Sequence, residues 1–217
     1  MSIALSIGNN LTTGGVFTAN AVNNTSVTNV TDFASIPGGG ALKLLSTQTA
    51  SASASIEFTS DIDSTYDSYV FKFIDIHPAT DNATFQFNMS TDGGSNYNVV
   101  KTTTSFLAEH NESDVYTGLF YTTNLDLAQS TSYQTLKNSI GSGSDECAVG
   151  YMQLFNPSST TYVKHFIANI NGYTSADFSQ NEYIAGYGNT TSTINAIQFK
   201  MSSGNIDSGV IKLYGIS

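Results

Sequence analysis

The chain has 217 residues, of which 40% are hydrophobic and only 11% charged, and its formal net charge is −10. All seven basic residues are lysines and none form a run, which argues against a nucleic-acid partner, because phosphate binding needs clustered ammonium or guanidinium groups. No apolar run approaches the roughly 18 residues that span a bilayer, and the single cysteine, Cys147, allows neither an intrachain disulfide nor a thiolate metal cluster.

The polar part of the composition is dominated by 29 Ser, 27 Thr and 20 Asn, and the apolar part includes 13 Phe and 12 Tyr. Thr, Tyr, Phe, Val and Ile favour pleated, half-buried surfaces, while good helix formers for exposed faces are scarce here. The fold class expected is all-β. A chain of this length buries roughly 70% of its unfolded surface, so a substantial core is available.

In chain order, residues 1–50 stand apart. No charged side chain precedes Asp32, and only Asp32 and Lys43 precede Glu57. Disordered tails are ordinarily charged and poor in Val, Ile and Leu, so this stretch reads as an extended arm, ordered by pairing with a neighbouring subunit or by lying along its own domain. MSIALSIGNN has no basic n-region, so no signal peptide is expected.

From Ser51 onward strands follow one another. SASIEFT places Ile56 and Phe58 on one face. SYVFKFIDI, from Ser68, is apolar on both faces, and ATFQFNMS puts Phe85, Phe87 and Met89 opposite Thr84, Gln86 and Asn88, with the period of two of a half-buried strand. The intervening HPATDN, with Pro78 and Asp81-Asn82, predicts a turn joining these two runs as an antiparallel pair. Tyr97–Leu107 predicts a long strand, Glu109–Asp114 a charged loop, VYTGLFY a strand, and Thr122–Asp145 a long loop with one helical turn in LDLAQS. CAVGYMQLF, TYVKHFIANI, EYIAGYG, TINAIQFKMS and VIKLYGI complete the strands, with SGNIDSG closing a hairpin onto the last. About ten short strands between polar turns predict an antiparallel two-sheet β-sandwich, jelly-roll-like, over residues 51–217. Gln86–Ser90 (QFNMS) echoes Gln198–Ser202 (QFKMS), over too few positions to count as a duplication.

Few residue sets carry chemistry. Ser90, Asp92, Gly94 and Tyr97 resemble the Asp-box turn, Ser-x-Asp-x-Gly-x-x-aromatic, with Tyr97 where Trp is usual. There the carboxylate accepts backbone N–H bonds and glycine takes positive φ, so these four are read as a structural turn. Glu109, His110, Glu112 and Asp114 form the densest ionisable cluster, and Asp61, Asp63 and Asp67 a second. Neither has the spacing of a calcium loop or a zinc site, and both read as exposed polar loops. His77, His110 and His165 sit in unrelated contexts, with no Gly-x-Ser-x-Gly, phosphate loop or His-Glu-x-x-His. No catalytic residue, metal or cofactor is therefore assigned. The Asn-x-Ser/Thr matches, among them Asn24, Asn82 and Asn189, follow from composition. Tyr116, Tyr121, Tyr133, Tyr173, Tyr183 and Tyr187 crowd the second half near Asn, Asp and Thr, the pairing of rings and amides that reads sugars, and are candidates for glycan or partner contact.

The run ASIEFTSDIDSTYDSYVFKFIDIHPATDNATFQFNMSTDGGSNYN, the later LFNPSSTTYVKHFI and the closing INAIQFKMSSGNIDSGVIKLYGI resemble virion and tail-fibre-like proteins of tailed bacteriophages, especially marine ones. The resemblance covers about Ala50 to Ile216. It implies a non-enzymatic virion component, a capsid decoration or tail appendage, made in the host cytoplasm. Other virion proteins would be met through residues 1–50 and a homo-oligomer is expected; as a tail appendage the chain would use its tyrosine-rich loops on a host surface glycan. The reading from a different class is a carbohydrate-active enzyme or its binding module.

Overall fold

The structure, a computed structural model, describes residues 42–216. Among them it contains twelve strands and no helix: β1 (Lys43–Ser53), β2 (Ile56–Phe58), β3 (Ser68–Pro78), β4 (Ala83–Ser90), β5 (Lys101–Asn111), β6 (Thr117–Tyr121), β7 (Gln134–Ile140), β8 (Ala148–Phe155), β9 (Lys164–Tyr173), β10 (Phe178–Gly188), β11 (Ala196–Met201) and β12 (Ile206–Ile216). They form two antiparallel sheets. Eight strands run in the order β1-β12-β3-β8-β9-β10-β5-β6 and four in the order β2-β11-β4-β7.

The part of the expected arm up to residue 41 lies outside the described residues. Its last portion, Lys43–Ala50, is in β1, which pairs with β12 from Lys43↔Gly215 to Ser53↔Ile206.

The all-β, two-sheet expectation holds, and the alternation it was read from is the alternation of the core. Phe85, Phe87 and Met89 are fully buried, as are Phe71, Phe166, Ile170, Phe199 and Leu213. Phe199 lies at the centre of an aromatic cluster drawn from both sheets, 5.2 Å from Phe71 and from Phe73 across the core and 5.9 Å from Phe85 beside it. Phe87 meets Phe166 edge-on at 5.0 Å. Such edge and offset contacts suit the ring quadrupoles and add to the gain from burial.

Connectivity departs from the expectation at two turns. β3 belongs to the large sheet, where it pairs with β12 and β8, and β4 to the small one, where it pairs with β11 and β7. HPATDN therefore carries the chain across the core and does not close a hairpin. The connection from β11 to β12 through SGNIDSG crosses likewise. The two crossings lie against each other, with the Ala79 N–H bonded to the Asn205 carbonyl at 3.0 Å. SYVFKFIDI is apolar on both faces because the pairing register shifts between Phe73 and Ile76, a bulge that returns Ile76 to the core while Ile74 is left exposed on the outer face.

Other boundaries also shift. No strand forms from Asn96 to Val100, and β5 begins at Lys101 and runs to Asn111, so Glu109, His110 and Asn111 are in a strand and not in a loop. LDLAQS forms no helical turn. It is tied to β5 by the Thr103 N–H to the Leu127 carbonyl (2.9 Å), by the Leu127 N–H to the Thr103 hydroxyl (2.8 Å) and by reciprocal bonds between Lys101 and Ser130, which satisfies its backbone without a helix.

Candidate functional site

The Ser90–Tyr97 turn is closed by its own side chains. The Ser90 hydroxyl donates to Asp92 Oδ1 (2.6 Å) and accepts the N–H groups of Asp92 (3.2 Å) and Gly94 (3.0 Å). Asp92 Oδ1 also accepts the Asn96 N–H (2.9 Å), and Oδ2 accepts the Asn96 side-chain amide (2.8 Å). These bonds, that of Ser90 foremost, hold the Asp92 carboxyl down to about 2. Gly94 has φ +90°, and a Cβ there would stand 2.8 Å from the Tyr97 hydroxyl, so the ring lies on the turn. Asp92 spends its carboxylate on the turn itself.

The acidic clusters are similarly engaged. Asp63 accepts the Thr65 N–H (2.7 Å) and the Tyr69 hydroxyl (3.0 Å). His110 contacts Asp114 at 3.0 Å in the open, and Glu109 turns away from them to the Gln180 amide at 2.7 Å. Among the described residues no three His, Cys, Asp or Glu side chains converge as metal ligands would.

The six tyrosines do not form one site. Tyr133 is on the small sheet, its hydroxyl bonded to Gln198 and its ring under Lys200 Nζ at 4.0 Å. Tyr116 packs against Phe178 and Phe120 near the β6 edge. Tyr173 lies beside Asp177 (3.4 Å).

Tyr121, Tyr183 and Tyr187 share the outer face of the large sheet. Register builds a row there: Tyr121 is opposite Phe106, Phe106 opposite Tyr183, Tyr183 opposite Asn169, Asn169 opposite Tyr151, and Tyr151 opposite Lys72. Directly opposed residues point to the same face, and the four rings are 41–54% exposed. Phe106 and Tyr183 stack at 4.9 Å. Next to them Tyr151, Ile167, Asn169 and Tyr183 line an open concavity of about 230 Å³, where Asn169 Nδ2 has no hydrogen-bond partner among the described residues. A second concavity of about 470 Å³ adjoins it through Thr104, Ile167 and Ala185 and carries Tyr187 and His165. Together they make a contiguous apolar and aromatic face.

Tyr151, Phe106 and Asn169 were not singled out from the sequence. The signal was present as parity, since each is an outward position of a strand whose inward positions, Met152, Leu107 and Ala168, are apolar. What parity cannot supply is the lateral register that aligns them.

The interior holds a second constellation that composition hides. Lys101, Lys137 and Lys164, three of the seven lysines, are fully buried. Lys101 Nζ donates to Asn88 Oδ1 (2.5 Å) and the Val99 carbonyl (2.8 Å), and burial pulls its ammonium down to about 7. Lys164 Nζ reaches the carbonyls of Tyr162 (2.8 Å) and Thr190 (3.2 Å). Lys137 pairs with Glu182 at 3.2 Å, both fully buried, under Gly172, where a Cβ would stand 2.7 Å from the lysine Cε. A buried ion pair repays its desolvation only with good geometry and further hydrogen bonds, and here Glu182 Oε1 also accepts the Asn138 N–H at 2.8 Å.

No protein-family model, no curated protein and no solved structure matches the chain.

Proposed function

We propose that the chain is a non-enzymatic structural protein of a tailed-bacteriophage virion, displayed on the particle surface as a capsid decoration or tail appendage. The arm ahead of β1 joins it to neighbouring virion proteins, and the two sheets form a jelly-roll-like body. The observation that carries this reading is the outer face of β8, β9, β10 and β5, an exposed aromatic surface suited to contact with a neighbour, backed by a core that spans both sheets. Repeated passage of the chain between the sheets supports the jelly-roll arrangement, and the resemblance of Ala50–Ile216 to phage virion proteins supports the assignment to a particle. A homo-oligomer follows if that face meets a second copy.

Particle reconstruction at side-chain resolution tests this. The expected result is density for the two-sheet body on the outside of the particle, at a copy number that distinguishes decoration from tail. Particles that lack the protein would overturn the proposal.

One observation favours contact with a host surface glycan through the same face. Asn169 stands in register between the exposed rings of Tyr183 and Tyr151, and exposed rings that stack on a sugar next to side-chain amides are what carbohydrate recognition requires. A glycan array probed with the full chain should give a signal that Tyr183→Ala removes. An empty array leaves the face as a protein contact only.

A further inference from the structure

Lys137, on β7 of the small sheet, reaches across the core to Gln180 and Glu182 on β10 of the large one. Its Nζ stands 2.5 Å from Gln180 Oε1 and 3.2 Å from Glu182 Oε1, with the carbonyl and side-chain oxygens of Asn138 as its remaining partners. The carboxamide carbon is one bond of about 1.2 Å from that oxygen, which puts it no more than about 3.7 Å from Nζ. The Gln180 Nε2 amide donates to Glu109 Oε2 at 2.7 Å, so the carboxamide is held in place from both ends. Lys137 and Glu182 are fully buried and Gln180 nearly so. Glu182 Oε2 has no partner among the described residues, which leaves it free to take up and return a proton.

We propose that Lys137 and Gln180 form an intramolecular isopeptide bond that ties the two sheets together, with Glu182 as the catalytic residue. Nζ forms a bond to Cδ of Gln180, the bond from Cδ to Nε2 breaks, and one N–H proton of Lys137 passes by way of the Glu182 carboxyl group to the departing nitrogen. Ammonia leaves beside Glu109, and neither an oxidant nor a cofactor is needed. The surroundings favour the reacting forms, because burial draws the Lys137 ammonium down toward the neutral amine and pushes the Glu182 carboxyl up. A nucleophile and an electrophile held in one geometry react as an intramolecular pair, whose effective concentration far exceeds any in solution.

The core contains its own comparison. Lys101 stands at the same 2.5 Å from the Asn88 carboxamide oxygen, but among the described residues no carboxyl group is hydrogen-bonded to either side chain. Proximity is shared and the proton shuttle is not, so one bond is expected and not two.

The mass of the purified full chain under denaturing conditions tests the proposal without reliance on any variant. It should be lighter than the sequence mass by one ammonia, and proteolytic fragments should show Lys137 joined to Gln180. Lys137→Met and Glu182→Gln should both restore the sequence mass. An unmodified wild-type chain would overturn the proposal, as would an ammonia loss that persists in Lys137→Met or maps to Lys101 and Asn88. Loss that persists in Glu182→Gln would remove Glu182 from the reaction.

Discussion

Phe199 on β11 stands directly opposite Phe87 on β4, with ring centroids 6.3 Å apart, and both side chains are fully buried. This pair lies inside the only internal echo of the sequence. QFNMS and QFKMS are the facing segments of adjacent antiparallel strands, Gln86 opposite Lys200 and Asn88 opposite Gln198. Each segment puts its Phe and Met on the core face and polar residues on the other, so pairing them puts two phenylalanines in one layer of the core.

Because Phe199 touches rings of both sheets, Phe199→Ala opens a cavity that neither sheet can close alone. Truncation of a buried Phe costs about 3–5 kcal/mol, and Phe87→Ala should fall in the same range. Urea unfolding of the two variants checks this, with the midpoint falling and the slope unchanged.

The turn at Asp92 predicts an acid-sensitive contribution to stability. A carboxyl group held below its unfolded value of about 3.9 binds fewer protons folded than unfolded. Its contribution is therefore complete above that value and drains away as pH falls toward the folded value of about 2. Asp92→Ala should lower the melting temperature at pH 7 and flatten the decline between pH 4 and pH 2. Chelator should leave both melting curves unchanged, since the carboxylate serves backbone and side-chain donors of the turn and not a metal.

Lys101 acts in the opposite sense. Its folded value of about 7 lies below the unfolded value of about 10.4, so between the two the unfolded chain binds more protons and stability rises with pH. Wild-type protein should melt higher at pH 9 than at pH 7. Burial lowers Lys164 too, so Lys101→Met should shrink this rise without removing it. Its removal leaves Asn88 Oδ1 with the Met89 N–H at 2.9 Å. Melting temperatures of both proteins at pH 7, 8 and 9 check the difference.

Assembly and folding should separate near residue 42. Deletion of residues 1–41 should leave a domain that melts cooperatively and no longer joins the particle. Deletion through Ser53 removes β1 and bares the β12 edge from Ile206 to Gly215, so that protein should melt lower and self-associate, as uncovered strand edges do. Melting curves, sedimentation and particle incorporation of the two truncations test this, and normal incorporation of the first would defeat the assembly role.

Most strands, their faces and most of the core were legible in the chain by itself, because alternation with a period of two is a property of consecutive residues; β7 (Gln134–Ile140), inside the stretch Thr122–Asp145 that reads as a loop, was not, since its polar QTLKNS lacks that alternation. Ile56 and Phe58, then Phe85, Phe87 and Met89, are buried where that pattern puts them. The local bonds of the Ser90–Tyr97 turn were legible for the same reason, its partners lying within four residues of one another apart from the ring. The choice of sheet was not. A strand that faces the core reads alike whether its successor lies beside it or across from it, so HPATDN could be a hairpin or a crossing until the partners of β3 and β4 were known. Lateral register was equally out of reach, and it alone gathers Tyr121, Phe106, Tyr183, Asn169 and Tyr151 into one row while dispersing Tyr116, Tyr133 and Tyr173. The buried lysines show the same limit. Lys164 and Phe166 share a face of β9, but a lysine belongs inside only where carbonyls or a carboxylate meet it. Those partners, Tyr162 and Thr190 for Lys164 and Gln180 and Glu182 for Lys137, come for the most part from distant strands and loops that only the tertiary structure brings to it.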